Sequence, residues 1–201
     1  EQYKASVMVD EAHGFGVMGD HGRGVCNYFG LTDKVDLIMG TFSKSFAAIG
    51  GFIAGSKTTI NYIRHHARSY IFSASCTPAA TAAVGKSLEI MLREPERVEA
   101  LQEKTRYCLE KFRKLGFEIG HTSTPIIPLF VRDNEKTFRV TAELFHEGVF
   151  VNPVVAPAVA PEDTLIRFSL MATHTYEQLD TAIEKITAVF RRLDIPLHPQ
   201  A

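Results

Sequence analysis

Two short segments of the chain combine residue types that could act together on one ligand. The first is Asp10-Glu11-Ala12-His13 and the second is Thr41-Phe42-Ser43-Lys44, and each comes directly after an apolar run. The glycine pair Gly50-Gly51 follows the second segment. In open α/β sheets, ligands bind beyond the carboxyl ends of the strands. We therefore expect Asp10 and Lys44 to deliver a carboxylate and an amine to one crevice.

An acid and an amine at neighbouring strand ends suit a pyridoxal phosphate cofactor. Its aldehyde needs a lysine amine for a Schiff base, and its ring nitrogen needs a carboxylate to stay protonated. The residues around Lys44 are mainly apolar, and apolar surroundings do not suit a lysine that serves only as a solvated surface charge. We therefore expect this lysine to be buried. Thr41 and Ser43 offer hydroxyls to a phosphate. His13 could reach the phenolic oxygen of the cofactor.

Each of these residues also has a structural interpretation, which the residues alone leave open. Asp10 could be a turn or cap residue, and Lys44 a solvated surface lysine. His13 could be a structural histidine. Thr41 and Ser43 could cap a turn.

The hydrophobic pattern of the first half predicts the elements that position these segments. Three continuous apolar runs bounded by Gly or polar residues predict buried parallel strands: residues 5–9, 35–39 and 51–54. Three segments read as helices: 58–67, 78–93 and 95–115. Thr77 is the expected N-cap and Pro78 the first helical residue of the second helix, and Gly116 stops the third.

The second half has a different order of elements. It predicts strand, helix, strand, loop, strand and helix over 126–131, 136–147, 149–151, 153–161, 165–170 and 176–193. This order suits a small α+β layer. We predict an α/β fold in which residues 1–95 are part of a mostly parallel sheet domain. A connecting helix at 96–116, a small α+β domain at 117–195 and a tail at 196–201 follow.

Composition and charge argue against several classes of protein. The formal net charge is −1 and no block of like charge occurs, so a nucleic-acid partner is not expected. No apolar run approaches the roughly 20 residues of a membrane-spanning helix. Three scattered cysteines suit reduced thiols in the cytoplasm better than a disulfide framework.

The motifs taken together resemble the α-oxoamine synthases, which are fold-type I pyridoxal-phosphate enzymes. The segments that carry the resemblance run in order through nearly the whole chain: 9–14, Gly19, 22–24, 40–45, 50–52, 70–75 with Pro78, 165–169 and 172–175. Members of this family condense an amino acid with an acyl-CoA and release carbon dioxide, or split the product in reverse.

The resemblance implies a role for each site residue. Asp10 would pair with the pyridine nitrogen and His13 would contact the ring oxygen. Thr41 would help hold the phosphate, and Lys44 would be both the Schiff-base lysine and a proton-transfer residue. Ser73 would reach the phosphate of the neighbouring subunit's cofactor, which implies a homodimer with shared sites.

The resemblance also bears on the substrates. Arg167 would clamp the carboxylate of the amino acid, a task that suits its guanidinium fork. The sequence 41–45 is more similar to the sphingolipid-synthesis branch, which joins L-serine to palmitoyl-CoA, than to the biotin, haem and threonine-pathway branches. The alternatives that stay open are 8-amino-7-oxononanoate synthase of the biotin branch and glycine C-acetyltransferase of the threonine branch. Family members are about twice as long as this chain, so we expect a C-terminal half that lacks part of the site.

The sequence motifs also suggest three other interpretations. Residues 10–13 also spell a DEAH-type helicase motif, but the chain contains no Gly-x-x-x-x-Gly-Lys-Ser/Thr phosphate loop. A non-catalytic subunit of the same family would be expected to have lost Lys44. A metal site is not expected, because His13, His21 and the pair His65-His66 match no compact zinc spacing.

Overall fold

The computed structural model describes residues 3–198, which form two compact units. The first unit ends at Glu99 and the second begins at Ala100. In the described part of the chain, no helix combines the length and the hydropathy needed to cross a membrane. Of the predicted tail at 196–201, residues 199–201 lie outside the described residues.

The first unit contains a three-stranded sheet in which two neighbouring strands run parallel. Strands β1 (Met8–Asp10), β2 (Leu37–Thr41) and β3 (Gly51–Gly55) lie in the order β1-β2-β3. β1 is parallel to β2, as predicted, whereas β3 is antiparallel to β2. The prediction of a parallel third strand is wrong because only residues 42–50 connect β2 to β3. A parallel crossover needs a dozen or more residues.

The sheet of the first unit is much less buried than its apolar sequence indicated. Among the described residues of this unit, the buried apolar side chains are Met18, Cys26 and Phe46. In β3 only Phe52 is half-buried, and the other residues are exposed. The helices of this unit therefore cover little of the sheet.

Within the described residues, four α-helices accompany this sheet: α1 (Val25–Tyr28), α2 (Lys57–His66), α3 (Arg68–Ile71) and α4 (Pro78–Arg93). The limits of α4 and its N-cap are confirmed, since Thr77 Oγ1 accepts a hydrogen bond from the Ala80 amide at 3.3 Å. α2 begins one residue before its predicted start, because Ser56 Oγ caps it by accepting from the Thr59 amide at 3.2 Å.

The second unit is an antiparallel sheet packed with helices, which confirms the α+β character predicted for this part of the chain. Its elements are α5 (Glu96–Leu115, of which the part from Ala100 lies in this unit), β4 (Ile126–Phe130), α6 (Asn134–His146), β5 (Asn152–Val154), β6 (Leu165–Ser169) and α7 (Tyr176–Arg192). The strand order is β4-β6-β5. Fully buried side chains from α5, β4, α6, β6 and α7 form its core: Phe112, Ile127, Leu144, Ile166 and Phe190.

One predicted strand of the second unit is displaced. The strand expected at 149–151 lies instead at 152–154, where Asn152 pairs with Arg167 and Val154 with Leu165. The predicted position is wrong because it treats Pro153 as a loop residue. β5 is an edge strand, and an edge strand tolerates a proline that donates no hydrogen bond.

Candidate active site

The parallel pairing of β1 and β2 brings the carboxyl ends of both strands to one edge of the sheet. Asp10 is the last residue of β1 and pairs with Met39, and the Glu11 amide donates to the Met39 carbonyl at 2.7 Å. Thr41 ends β2 just beyond Met39. Because paired strands lie only about 4.8 Å apart, Asp10 and the segment that starts at Thr41 share this edge.

Asp10 closes the turn after β1 and still presents a carboxylate at the surface of the unit. Its Oδ1 accepts a hydrogen bond from the Ala12 amide at 2.8 Å, which is the turn role that the sequence left open. The side chain is exposed, and so is that of His13 in the same turn. One carboxylate oxygen thus fixes the direction of the group, while a ligand can use the other.

Glu11 is a buried carboxylate whose role no sequence pattern indicates. It is 2% exposed, and its Oε2 and Oε1 accept hydrogen bonds from the amides of Val25 and Cys26, each at 2.7 Å. A Cβ atom added to Gly14 or Gly24 would lie 2.1 or 2.7 Å from this carboxylate. Burial raises the pKa of the Cys26 thiol to about 11, and Glu11 adds to the rise. Glu11 therefore anchors the segment that follows Asp10, and Cys26 stays a neutral thiol.

Lys44 lies in the turn that joins β2 to β3, and a hydroxyl network stabilises the start of this turn. Thr41 Oγ1 lies 3.0 Å from Ser43 Oγ, accepts from the Ser43 amide at 3.3 Å and donates to the Gly50 carbonyl at 3.2 Å. The Ala47 amide donates to the Lys44 carbonyl at 3.1 Å, and Ala47 has a left-handed φ of 49°. The capping role of Thr41 is thus present, and it leaves two hydroxyls side by side at the strand end.

Four phenylalanines beside this turn pack against one another: Phe15, Phe42, Phe46 and Phe52. The rings of Phe15 and Phe46 stack with centroids 4.8 Å apart. Phe46 is 4% exposed, whereas Lys44 is exposed. The expectation of a buried Lys44 is wrong for this chain, because the aromatic rings pack with each other rather than over the amine. They hold the backbone of the turn that carries it.

Ser73 follows α3 in a segment that is exposed throughout. Its hydroxyl donates to the Ser69 carbonyl, and its amide donates to the Tyr70 carbonyl at 3.4 Å. The preceding Ile71 and Phe72 are 50% and 78% exposed. Neighbouring exposed apolar side chains are typical of a surface that another chain covers.

The donor set of the first unit fits the chemistry of pyridoxal phosphate. Asp10 supplies a carboxylate for a ring nitrogen, and Lys44 supplies an amine for an aldehyde. The Ser43 hydroxyl can donate to a phosphate oxygen, and the Thr41 hydroxyl can do so when it turns away from the Gly50 carbonyl. These groups follow two strands whose ends meet at one edge.

Arg167 occupies the middle of β6 in the second unit, between Pro128 of β4 and Asn152 of β5. Its Nε donates to Ser169 Oγ at 3.3 Å. The side chain is half-buried, and no carboxylate within residues 3–198 forms an ion pair with it. A guanidinium in this state is available to an anionic ligand.

A pocket of ≈ 740 Å³ includes Arg167 in its wall. This volume is in the range of small-molecule sites. The other polar groups of the wall come from β5, from the loop after β6 and from α7, and they include Asn152, His174, Glu177 and Lys185. From the sequence, His174 is part of the motif at 172–175, which indicates no role for its side chain.

Comparison with known proteins matches residues 1–186 to the family "Aminotransferase class I and II". A serine palmitoyltransferase from Bacteroides thetaiotaomicron is 63% identical over 194 residues, which are 96% of this chain and 49% of that protein. An 8-amino-7-oxononanoate synthase from Bacillus pumilus is 44% identical over 195 residues, 97% of this chain and 50% of that protein.

Solved structures have the same fold. A serine palmitoyltransferase variant from S. paucimobilis, solved with a bound PLP–myriocin aldimine, superposes with a TM-score of 0.91 at 30% identity. The match covers 97% of this chain and 50% of that protein. The chain thus spans about half the length of the relatives it matches.

Proposed function

Since the chain belongs to the class I and II aminotransferase family, we propose that it forms the lysine-bearing half of a pyridoxal-phosphate-dependent serine palmitoyltransferase. The complete enzyme would condense L-serine with palmitoyl-CoA, release carbon dioxide and form 3-ketosphinganine, a step of sphingolipid synthesis. The observation that carries the cofactor chemistry is the parallel β1–β2 pairing, which brings Asp10 and the segment from Thr41 to Lys44 to one edge.

When bound, pyridoxal phosphate supplies an electron sink for bond breaking at the α-carbon of an amino acid. In our proposal the Asp10 carboxylate keeps the ring nitrogen protonated, and His13 contacts the ring oxygen. Thr41 helps hold the phosphate, its hydroxyl turning from the Gly50 carbonyl to donate to a phosphate oxygen. Lys44 holds the cofactor through its ε-amine and moves the α-proton of the substrate. The aromatic packing around the turn supports the Lys44 assignment, because it fixes the backbone from which the amine projects.

Arg167 is the proposed clamp for the carboxylate of L-serine. Its lack of an ion pair within the described residues and its position in a ligand-sized pocket support this role. The planar guanidinium can bind both carboxylate oxygens at once, which fixes the orientation of the substrate as well as its charge.

We propose that the enzyme is a homodimer in which Ser73 contacts the phosphate held by the partner subunit. The exposed apolar residues before Ser73 support a covered surface there. A cytoplasmic location is proposed on the three free cysteines, which form no disulfide. The proposed domain limits are 1–95 for the cofactor domain, 96–116 for a connecting helix, 117–195 for the small domain and 196–201 for the tail.

Other α-oxoamine synthases are the alternative, namely 8-amino-7-oxononanoate synthase or glycine C-acetyltransferase. The 44% identity to the former keeps it as a candidate, but it is well below the 63% identity to serine palmitoyltransferase. The DEAH-type helicase alternative loses its support. The family match covers residues 1–186, and both oxygens of Glu11 are engaged by backbone amides.

The proposal is tested in the complete enzyme by replacing Lys44 with alanine. We expect loss of the visible absorbance band of lysine-bound cofactor, which borohydride also removes in the wild type, and loss of turnover. Lys57→Ala is the matched control, because Lys57 is an exposed lysine at the start of α2. Products formed from serine or glycine with palmitoyl-CoA or acetyl-CoA are then identified by mass. An unchanged band in Lys44→Ala, or a product lacking the long acyl chain, would contradict the proposal.

A further inference from the structure

The loop from β6 to α7 is held in one conformation by hydrogen bonds at each of its turns. The Met171 amide donates to His174 Nδ1 at 3.2 Å, and the His174 amide donates to the Met171 carbonyl at 3.2 Å. Lys104 Nζ donates to the Ala172 carbonyl at 2.7 Å. A capping box formed by Thr175 then starts α7. This loop follows directly from the strand that carries Arg167 and includes residues of the same pocket wall.

The bond from Met171 fixes which nitrogen of His174 carries the proton. A backbone N–H can only donate, so Nδ1 must accept, and in the neutral ring the proton lies on Nε2. Burial, and secondly the charge of Lys104, lower the pKa of His174, so the ring is neutral near pH 7. His174 therefore offers an N–H donor, and the structure gives Nε2 no protein partner among residues 3–198.

The charges around this pocket favour an anion. Arg167 on β6 and Lys185 on α7 are cationic, and Glu177 on α7 is the carboxylate in the same wall. The Lys185 ammonium donates to the Glu147 carbonyl at 2.5 Å, a neutral partner that leaves its charge uncompensated. Two cations facing one carboxylate give the wall a net positive charge, which attracts a negatively charged group.

We propose that His174 is a second binding residue for the carboxylate of the amino-acid substrate, to which Nε2–H donates a hydrogen bond beside the Arg167 clamp. The inference rests on the proposed function for the identity of the ligand. A carboxylate has enough lone pairs to accept from both a guanidinium and an imidazole. The hydrogen bond from the Met171 amide keeps the proton of the His174 ring on Nε2. The ability of Nε2–H to donate to a ligand therefore depends on the loop conformation that places Met171 beside His174.

Two substitutions in the complete enzyme separate ligand binding from loop structure. In His174→Asn the amide oxygen can replace Nδ1 as acceptor for Met171, but the donor at the Nε2 position is lost. In His174→Gln the amide nitrogen can replace Nε2, but the acceptor for Met171 is lost. We expect His174→Asn to raise the KM and Kd for L-serine on the order of 10- to 100-fold, as for loss of a hydrogen bond to a charged group. The KM for palmitoyl-CoA should not change in either variant, and His174→Gln, which keeps the donor, should raise the KM for L-serine less than His174→Asn does.

The opposite order, with His174→Gln impaired and His174→Asn normal, would show that His174 only holds the loop and would overturn the inference. Ethanolamine, which lacks the carboxylate, serves as the control ligand. Its inhibition constant should be the same in the wild type and in His174→Asn. An equal loss for ethanolamine and L-serine would also overturn the inference.

A measurement on the wild type removes any dependence on how the variants fold. Imidazole ¹⁵N resonances should show a shift at Nε2 of His174 on addition of L-serine but not of ethanolamine; an unchanged Nε2 resonance refutes the contact. If the wild type shows no cofactor band and no turnover of L-serine, the proposed function itself has failed. Normal wild-type turnover with an unaffected His174→Asn refutes the inference about His174 alone.

Discussion

Replacement of Glu11 by glutamine is expected to destabilise the cofactor-bearing unit by about 2–4 kcal/mol. The side chain is 2% exposed, and its two oxygens accept from the amides of Val25 and Cys26 at 2.7 Å. Glutamine has the same shape, but its NH₂ group can only donate, so one amide loses its acceptor. A hydrogen bond to a charged acceptor contributes about 1.5–3 kcal/mol, and a buried amide left without a partner adds to the loss.

Urea unfolding of the complete enzyme, followed by circular dichroism at 222 nm, measures this effect. With a denaturant slope of about 3 kcal/mol/M, a loss of about 3 kcal/mol lowers the midpoint by roughly 1 M. The control is Glu89→Gln, because Glu89 is exposed and pairs with Lys86 at the surface at 2.7 Å. Such a pair contributes about 0.5 kcal/mol. Equal midpoints for the two variants would refute the anchoring role of Glu11.

Two further predictions concern the subunit interface and the second unit. If Ser73 completes the partner's phosphate site, a mixed dimer of Lys44→Ala and Ser73→Ala subunits should contain one tight cofactor site. Cofactor titration measures this site. A mixture that binds no more cofactor than the separate variants would contradict the shared site. Hydrogen bonds from Lys111 and Tyr107 lower the pKa of Asp180. The stability that Asp180 contributes is therefore complete above the pKa of the unfolded chain, about 3.9, and is lost as the pH falls through the lower folded value. Asp180→Asn should thus lower the melting temperature at pH 7 but differ less from the wild type below about pH 3.5, and a gap that does not depend on pH would argue against this ion pair.

Local chemistry made some elements predictable from sequence, and long-range pairing made others difficult. Thr77 and Pro78 specify a helix start through a side-chain cap and a preset φ, and α4 begins as they indicate. The direction of β3 depends instead on the length of the segment that connects β2 to β3. The apolar pattern of the strand itself does not indicate that direction. In the same way, Pro153 was misassigned because only the strand order shows that β5 is an edge strand that tolerates it.

The location of the candidate site could be predicted for those residues that directly follow a strand. Asp10 and the segment from Thr41 to Lys44 could be assigned to one edge because parallel strands end together. The exposure of Lys44 could not be predicted, since neighbouring aromatic residues in sequence can pack with each other rather than with the lysine. Glu11 and His174 were missed because their roles depend on backbone amides at Val25, Cys26 and Met171, whose position no sequence pattern gives.

The sparse interior of the first unit determines how this polypeptide would behave if it were produced alone. Fully burying an apolar side chain contributes about 1.5–3 kcal/mol, and Met18, Cys26 and Phe46 are the buried apolar side chains of this unit among the described residues. A unit with so few fully buried apolar side chains gains little of the stabilisation that a hydrophobic core supplies. β1 and β3 also leave open sheet edges, which invite aggregation. Produced alone, this polypeptide is therefore expected to aggregate more readily than the same residues in an enzyme in which further chain covers the sheet.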